Sequence, residues 1–297
     1  MQFKLDDIKF IVFLLALLSL TQSNAQEIAI TPLGFNQFPN YGVFYNPSQL
    51  HQTDSSNTEL NLGYRGFSGI RKNIRQNYFC FSKKLKSDSL QSKHFLGLHI
   101  SNEAIGKFFR TIRTYADYKI KIQLERHTFL SIGTSIGFYN FNVIGNEYTA
   151  GLSSFALDGN FGANLRYNKF EIGASMLQAF NSKVSAQIEQ SYLKRHYHFY
   201  SSYNYNYQLW DFYFYTNDLY VQEYQNEFNF GVKAFRKSYA GFQVNCSLQD
   251  GIDTALLLEQ VKVKNNKIDL VFNYNLIAFR QNGLNSNHFE ICLKYYK

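Results

Sequence analysis

One pentapeptide in this chain matches a pattern that serine hydrolases use for catalysis. Gly133, Ser135 and Gly137 stand in the G-x-S-x-G spacing, in which the serine is the nucleophile. That chemistry requires the serine to be exposed on a sharp turn between a strand and a helix. Residues 127–141 instead alternate small or polar with apolar side chains, which predicts a continuous strand. We therefore expect small residues on a crowded inner wall, and we predict no catalytic residue.

His196 and His198 have the spacing of two metal ligands on one face of a strand. Two imidazoles need a third or a fourth ligand to hold a metal such as zinc. Lys194 and Arg195 directly precede the pair, and their positive charges repel a cation. We therefore predict histidines of an interface or a lumen, with no metal and no cofactor.

A set of charged residues lies on one face of another predicted strand. The set comprises Arg113, Asp117, Lys119, Lys121 and Glu125. Facing side chains on neighbouring strands form cross-strand pairs, so these charges predict a ladder in a solvated or plugged lumen. Nothing in their arrangement is specific to acid–base catalysis.

The element that must position all of these residues is an amphipathic strand. Between residues 266 and 276, Ile268, Leu270, Phe272 and Tyr274 alternate with mostly polar residues. Successive side chains of a strand point to opposite faces, so one face of this segment is apolar. The pattern recurs along most of the chain, and it is the pattern of a wall between lipid and a polar lumen. The sequence therefore predicts an all-β fold, a transmembrane antiparallel β-barrel.

The alternation predicts about 14 strands, an even number as bacterial barrels favour. These strands are 59–65, 77–85, 94–101, 110–124, 127–141, 155–167, 170–179, 195–209, 210–217, 226–235, 239–248, 254–263, 267–276 and 288–296. Tight polar turns are predicted at 125–126, 167–169 and 263–266, and longer polar connections at 142–154, 181–194 and 280–287. In such barrels the short turns lie on the periplasmic side and the long loops outside.

The N-terminus has the features of a cleaved export signal. Residues 10–18 form a continuous apolar run and residues 23–25 are small. The run is too short to span a bilayer as a helix, and small residues before the cut are typical of a signal peptidase site. We predict a signal peptide at 1–25, a mature chain that begins at Gln26, an N-terminal plug or docking segment at 26–57 and the barrel at 58–297.

The segment after the signal does not fit a wall strand. It contains Pro32, Pro39 and Pro47, and proline is excluded from central strands. It is also densely aromatic, and aromatic side chains with a polar handle are favoured anchors at interfaces. We predict that this segment docks in the lumen or against a partner through Phe35, Phe38, Tyr41, Phe44, Tyr45, Asn46 and Pro47.

The chain is basic, with a formal net charge of +8. Its lysines and arginines are scattered among strands and loops, whereas a nucleic-acid-binding protein gathers them in one patch. We therefore predict no nucleic-acid partner and assign the basic loops to anionic lipid headgroups. Cys80, Cys246 and Cys292 show no metal spacing, and we interpret them as small wall residues.

Five short motifs carry a resemblance to a known family. They are Phe35-Asn36-Gln37-Phe38, Val43-Phe44-Tyr45-Asn46-Pro47-Ser48, Leu62-Gly63-Tyr64-Arg65, the strand at 268–274 and the closing strand at 288–295. In this order the motifs resemble the PorP/SprF family over the whole mature chain. The chain departs from the family pattern in two places: Glu27-Ile28 follow Gln26 where Asp-Pro is usual, and Ser48 stands where alanine is usual.

The resemblance implies an outer-membrane component of the type IX secretion and gliding machinery of Bacteroidetes. Implied partners are outer-membrane lipids, other components of the secretion system, and secreted cargo with a C-terminal sorting domain, such as adhesins. Two alternatives remain open from the residues themselves. The polar lumen also fits a passive porin or a channel for hydrophobic solutes, and a barrel enzyme built on Ser135 is a third, weaker option.

Overall fold

The computed structural model shows a closed barrel built almost entirely of strands. The structure describes residues 40–51, 56–68, 73–86, 91–145, 151–185, 190–208, 210–221, 225–236, 240–247, 251–263, 266–278 and 288–297. Among them, no helix has the length and the apolar character to cross a membrane.

The wall contains 14 antiparallel strands, as the alternation predicts. They are β1 Thr58–Phe67, β2 Arg75–Lys84, β3 Ser92–Ile105, β4 Phe109–Glu125, β5 Thr128–Val143, β6 Leu152–Tyr167, β7 Phe170–Leu177, β10 His196–Tyr207, β11 Trp210–Val221, β12 Gln225–Arg236, β13 Ala240–Ser247, β14 Gly251–Val263, β15 Asn266–Ala278 and β16 His288–Tyr296. Each strand pairs with the next strand of the wall, so that β7 pairs with β10, and β1 pairs with β16 to close the barrel. Closure leaves no unpaired strand edge in the ring, which lipid would make very costly.

One connection differs from the prediction. The segment 181–194, which we predicted as a polar loop, contains two short strands, β8 Lys183–Ser185 and β9 Gln190–Tyr192, paired with each other. Val184 and Leu193 are fully buried against Tyr139 and Ala156 of the wall. A three-residue strand is too short to show a period of two in the sequence, so alternation could not reveal this hairpin.

The alternation of each strand separates an outer from an inner face. On β5, Ile136 and Phe138 are 54% and 59% exposed. On β4, Arg113, Asp117 and Lys119 are buried, although all three are charged. The outer face is therefore the apolar face of a lipid-exposed wall, and the polar face points into the lumen.

The two rims of the barrel differ in the length of their turns. Arg126-His127 and Asn168-Lys169 are two-residue turns, and they share one rim with both ends of the barrel, Thr58 and Tyr296. Asn168 has a φ of 52°, which asparagine tolerates in a tight turn. Three longer connections, β1 to β2, β5 to β6 and β7 to β10, lie at the opposite rim, and one, β2 to β3, lies at the rim of short turns. The rim of short turns is the periplasmic rim by the rule for such barrels.

Candidate docking site in the barrel lumen

A short folded segment of the chain occupies the lumen. Residues 40–51, called the plug here, contain helix α1 at Gly42–Tyr45 and a 3-10 turn at Pro47–Gln49. The Asn46 side chain caps this turn, because its Oδ1 accepts from the Ser48 backbone N–H at 2.9 Å. Pro47 stands at the start of the turn, where its missing N–H removes no hydrogen bond. The proline that excludes this segment from a strand thus fits the turn.

Hydrogen bonds at Tyr45 and Asn46 fix the middle of the plug to β6 and β7. Asn46 Nδ2 donates to the carbonyls of Ala163 and Ala174, each at 3.3 Å. Ser175 Oγ donates to the Tyr45 carbonyl at 2.5 Å. The buried amide of Asn46 therefore caps the turn of the plug and also hydrogen-bonds to two wall strands.

Hydrogen bonds also fix the C-terminal end of the plug. Lys119 Nζ donates to the carbonyls of Leu50 and His51 at 2.7 and 3.2 Å. The His51 ring lies 3.0 Å from Ser82 Oγ through Nδ1. Lys119, one of the charges predicted to face the lumen, therefore binds the plug backbone.

Tyr41 attaches the beginning of the plug near the seam between β1 and β16. Its hydroxyl donates to the Ile291 carbonyl at 3.1 Å. Burial, with smaller effects from Cys292 and Glu290, raises the pKa of Tyr41 well above its usual value. The hydroxyl therefore keeps its proton and remains a donor.

The wall is shaped to receive the plug. At four inward positions a Cβ in place of glycine would overlap plug atoms: Gly63 against Tyr41, Gly97 against Leu50, Gly133 against Pro47 and Gly162 against Asn46. For Gly97 the nearest plug atom would lie at 2.6 Å, closer than a carbon contact allows. A side chain at Gly133 would meet the plug backbone, and a side chain at the other three positions would displace a side chain of the plug.

Aromatic contacts complete the site. Tyr41 and Phe44 both meet Tyr78 edge-on, with ring centroids at 5.4 and 6.1 Å. Tyr45 stacks on His198 at 5.2 Å. Such pairs contribute about 0.5–1.5 kcal/mol beyond the area they bury.

The structure brings together the described members of the predicted docking set, which are Tyr41, Phe44, Tyr45, Asn46 and Pro47, and buries them in the lumen. Phe35 and Phe38 lie outside the described residues. The sequence reasoning missed Leu50, His51 and the wall glycines. Glycine at an inward position of a strand could have pointed to a close backbone approach.

Ser135 of the G-x-S-x-G pattern lies in the middle of β5 and is fully buried. Its Oγ donates to Asp117 Oδ1 at 2.5 Å, and His99 Nδ1 lies 2.8 Å from Asp117 Oδ2. The carboxylate therefore stands between the serine and the histidine, whereas an activated serine contacts the base itself. Gly133 of the pattern has a structural role, because the absence of a side chain there leaves space for Pro47.

Both histidines of the predicted pair point inward and are fully buried. His198 Nε2 contacts Asn217 Oδ1, and the His198 ring stacks against the Tyr45 ring. Within the described parts of the chain, no group of three or more potential metal ligands occurs. The role of His198 in this structure is a contact with the plug.

Polar side chains on the inward face of β4 form hydrogen bonds with side chains of other wall strands. Arg113 Nη2 donates to Glu103 Oε2 at 3.2 Å, and the Tyr115 hydroxyl donates to Asp158 at 2.5 Å. Glu125 is exposed at the end of β4, after a register shift at Gln123. It therefore stands outside the ladder.

Small cavities line the plug, and two of them are bounded by described residues. One, of about 30 Å³, lies between the plug and the β1, β2 and β16 wall. The other, of about 20 Å³, lies between Phe44 of the plug and the wall residues His99 and Arg113. Each has room for one or two water molecules, so neither forms a wide passage.

These features agree with a comparison of the sequence with known families. The model of the type IX secretion system membrane protein PorP/SprF matches residues 28–295. The chain belongs to the PorP/SprF family. It is therefore a component of type IX secretion in the outer membrane, and membership associates it with the other components of that system. The PorP/SprF family and the barrel fold fit a secretion or transport component.

Solved structures similar to this PorP/SprF chain include a monoaromatic hydrocarbon channel and a toluene transporter. The TodX ΔS2S3 mutant monoaromatic hydrocarbon channel has a TM-score of 0.59 and 12% identity, covering 87% of this chain and 94% of that one. The Ralstonia pickettii toluene transporter TbuX has a TM-score of 0.57 and 11% identity, covering 87% and 93%. At this identity the likeness shows the fold alone. A comparison with curated proteins finds no match.

Proposed function

We propose that this protein is a non-catalytic barrel of the type IX secretion and gliding machinery that supports secretion or surface anchoring of sorting-domain cargo such as adhesins. Family membership over residues 28–295 carries this proposal. The filled lumen supports it, because a barrel closed by its own chain acts as a scaffold and not as a conduit. Ser135, Asp117 and His99 are buried, and the Asp117 carboxylate stands between the serine and the histidine. This arrangement supports a non-catalytic role.

Deletion of the gene tests this role. The strain should keep the other components of the secretion machinery in the membrane but lose surface display of a sorting-domain cargo, measured by antibody labelling of intact cells. Complementation with the wild-type gene should restore display. Normal display in the deletion strain would refute the proposal.

A passive channel for hydrophobic solutes is the second candidate. It is favoured by the fold shared with hydrocarbon channels. The plug opposes it, because Tyr41, Phe44 and Tyr45 lie buried within the lumen. Liposome swelling separates the two: a channel admits small solutes into vesicles that contain the wild-type protein, whereas a plugged scaffold leaves them impermeable.

We further propose that residues 26–57 form the docking segment and that the exported chain begins at Gln26. The contacts of residues 40–51 with the lumen support the first part. N-terminal sequencing of the protein purified from the outer membrane tests the second, and a start before residue 20 would contradict it.

A further inference from the structure

The periplasmic rim, the rim of short turns, is strongly basic. Basic side chains described there are Lys83, Lys84, Lys86, Lys93, Lys121, Arg126, Arg166, Lys169, Lys262, Lys267 and Lys297. Apart from the buried Asp269, the acidic side chains described there are Glu59, Glu125, Glu171 and Asp211. The rim therefore has a marked excess of positive charge.

Most of these acidic side chains bind neutral donors. Glu59 accepts from Ser56 Oγ at 3.2 Å, and Glu171 accepts from the Tyr200 hydroxyl at 2.7 Å. Asp211 accepts from an asparagine amide of the adjoining strand at 2.5 Å. These contacts hold the carboxylates against the wall, and the basic side chains described at the rim outnumber the acidic ones.

Two lysine pairs at this rim lie directly opposite each other across neighbouring strands. Lys93 of β3 is the partner of Lys121 of β4, and Lys262 of β14 is the partner of Lys267 of β15. Like charges directly opposite each other destabilise a sheet. The two pairs therefore concentrate positive charge at two places of the rim.

The two pairs lie on the lumen side of the wall. Lys121 follows the buried Lys119 at the next inward position, and Lys267 precedes the buried Asp269 in the same way. Outward positions at the same rim carry exposed aromatic side chains, including Tyr167, Phe170, Tyr205, Tyr207 and Trp210. Aromatic rings of this kind form the girdle against lipid. Lipid therefore meets the aromatic side, and the lysine pairs face the aqueous mouth.

We propose that this basic mouth, made of Lys93, Lys121, Lys262 and Lys267, docks an acidic segment of a periplasmic protein. Opposite charge steers such a partner to the mouth and fixes its position. The plug lies in the lumen above, so we expect the partner to bind at the mouth and not to thread through. This inference names a partner class for the barrel proposed above and rests on its orientation.

Two matched variants of the full mature protein test the proposal. The mouth variant combines Lys93→Gln, Lys121→Gln, Lys262→Gln and Lys267→Gln. The control combines Arg75→Gln, Lys107→Gln, Arg110→Gln and Lys183→Gln, which removes the same charge from exposed positions at the opposite rim. The probe is a fluorescent peptide of alternating glutamate and glycine, and heat-modifiable migration on gels verifies that each barrel is folded.

The mouth variant should bind the peptide about tenfold more weakly than wild type, and the control within about twofold, because steering depends on where the charge lies. Wild-type binding should also weaken with salt. Equal losses in both variants, or no binding by wild type, would overturn the proposal. So would loss of co-purified anionic phospholipid from the mouth variant alone, since lipid would then be the occupant. Cargo display is measured separately, so these results leave the secretion role untouched.

Discussion

The Asn46 side chain occupies the space into which a Cβ on Gly162 would project. From that position its amide binds two wall strands through the carbonyls of Ala163 and Ala174 and caps the turn of the plug through Ser48. One glycine of the wall and one asparagine of the plug therefore fit each other. This fit links a sequence feature of the barrel to the closure of its lumen.

Replacing Gly162 by valine should displace the plug. The new side chain would overlap Asn46, and overpacking of this kind costs about 1–3 kcal/mol. The variant should leak small solutes in a liposome swelling assay while keeping heat-modifiable migration. Ala163→Val, at the next and outward position, is the control and should stay closed. A sealed Gly162→Val barrel would show that the fit of these two residues does not close the lumen.

Replacing Phe44 and Tyr45 by alanine should loosen the same site. Both side chains are buried, and truncation of a buried aromatic costs about 3–5 kcal/mol. The barrel should still migrate as a folded species, because the wall ladders are intact, but partner recovery from native membranes should fall or the pore should open.

The matched control for this double variant is Phe199→Ala with Tyr203→Ala, which removes two exposed aromatics of β10. It should keep a closed pore and normal partner recovery. If the Phe44 and Tyr45 variant also keeps both, the plug is only a tether and the docking assignment is wrong.

Replacing Lys119 by methionine should free the end of the plug near Leu50. The change leaves the carbonyls of Leu50 and His51 without their donor, and an unsatisfied buried group costs about 1–3 kcal/mol. Limited proteolysis should cut the segment before β1 faster than in wild type. Lys121→Met, one inward position nearer the rim, should leave the cleavage rate unchanged, and equal rates for wild type and Lys119→Met would contradict this role.

Replacing Ser135 by alanine tests the catalytic alternative. The variant loses one hydrogen bond to Asp117, a change of about 0.5–1.5 kcal/mol, and cargo display should be unaffected. A display defect that Ser135→Thr, which keeps a hydroxyl, does not restore, together with a normal melting temperature, would favour an enzyme.

Much of this fold can be predicted from the sequence because a wall between lipid and water imposes a period of two on every strand. The strands of the wall follow that rule except at register shifts in β4 and β14, and β15 follows it from Ile268 to Tyr274. The hairpin β8–β9 does not, since Val184 and Leu193 pack against the wall from a segment too short for a period. The aromatic and proline content marks the plug, but the contact of Lys119 with Leu50 depends on distances across the lumen that no local pattern encodes.

The conductance of the purified wild-type barrel in a planar bilayer tests the central claim most directly. A lumen filled by residues 40–51 should give a silent barrel, and the Gly162→Val variant should give steady open-pore currents under the same conditions. A steady open pore in the wild-type protein would contradict a plugged scaffold and would favour a channel.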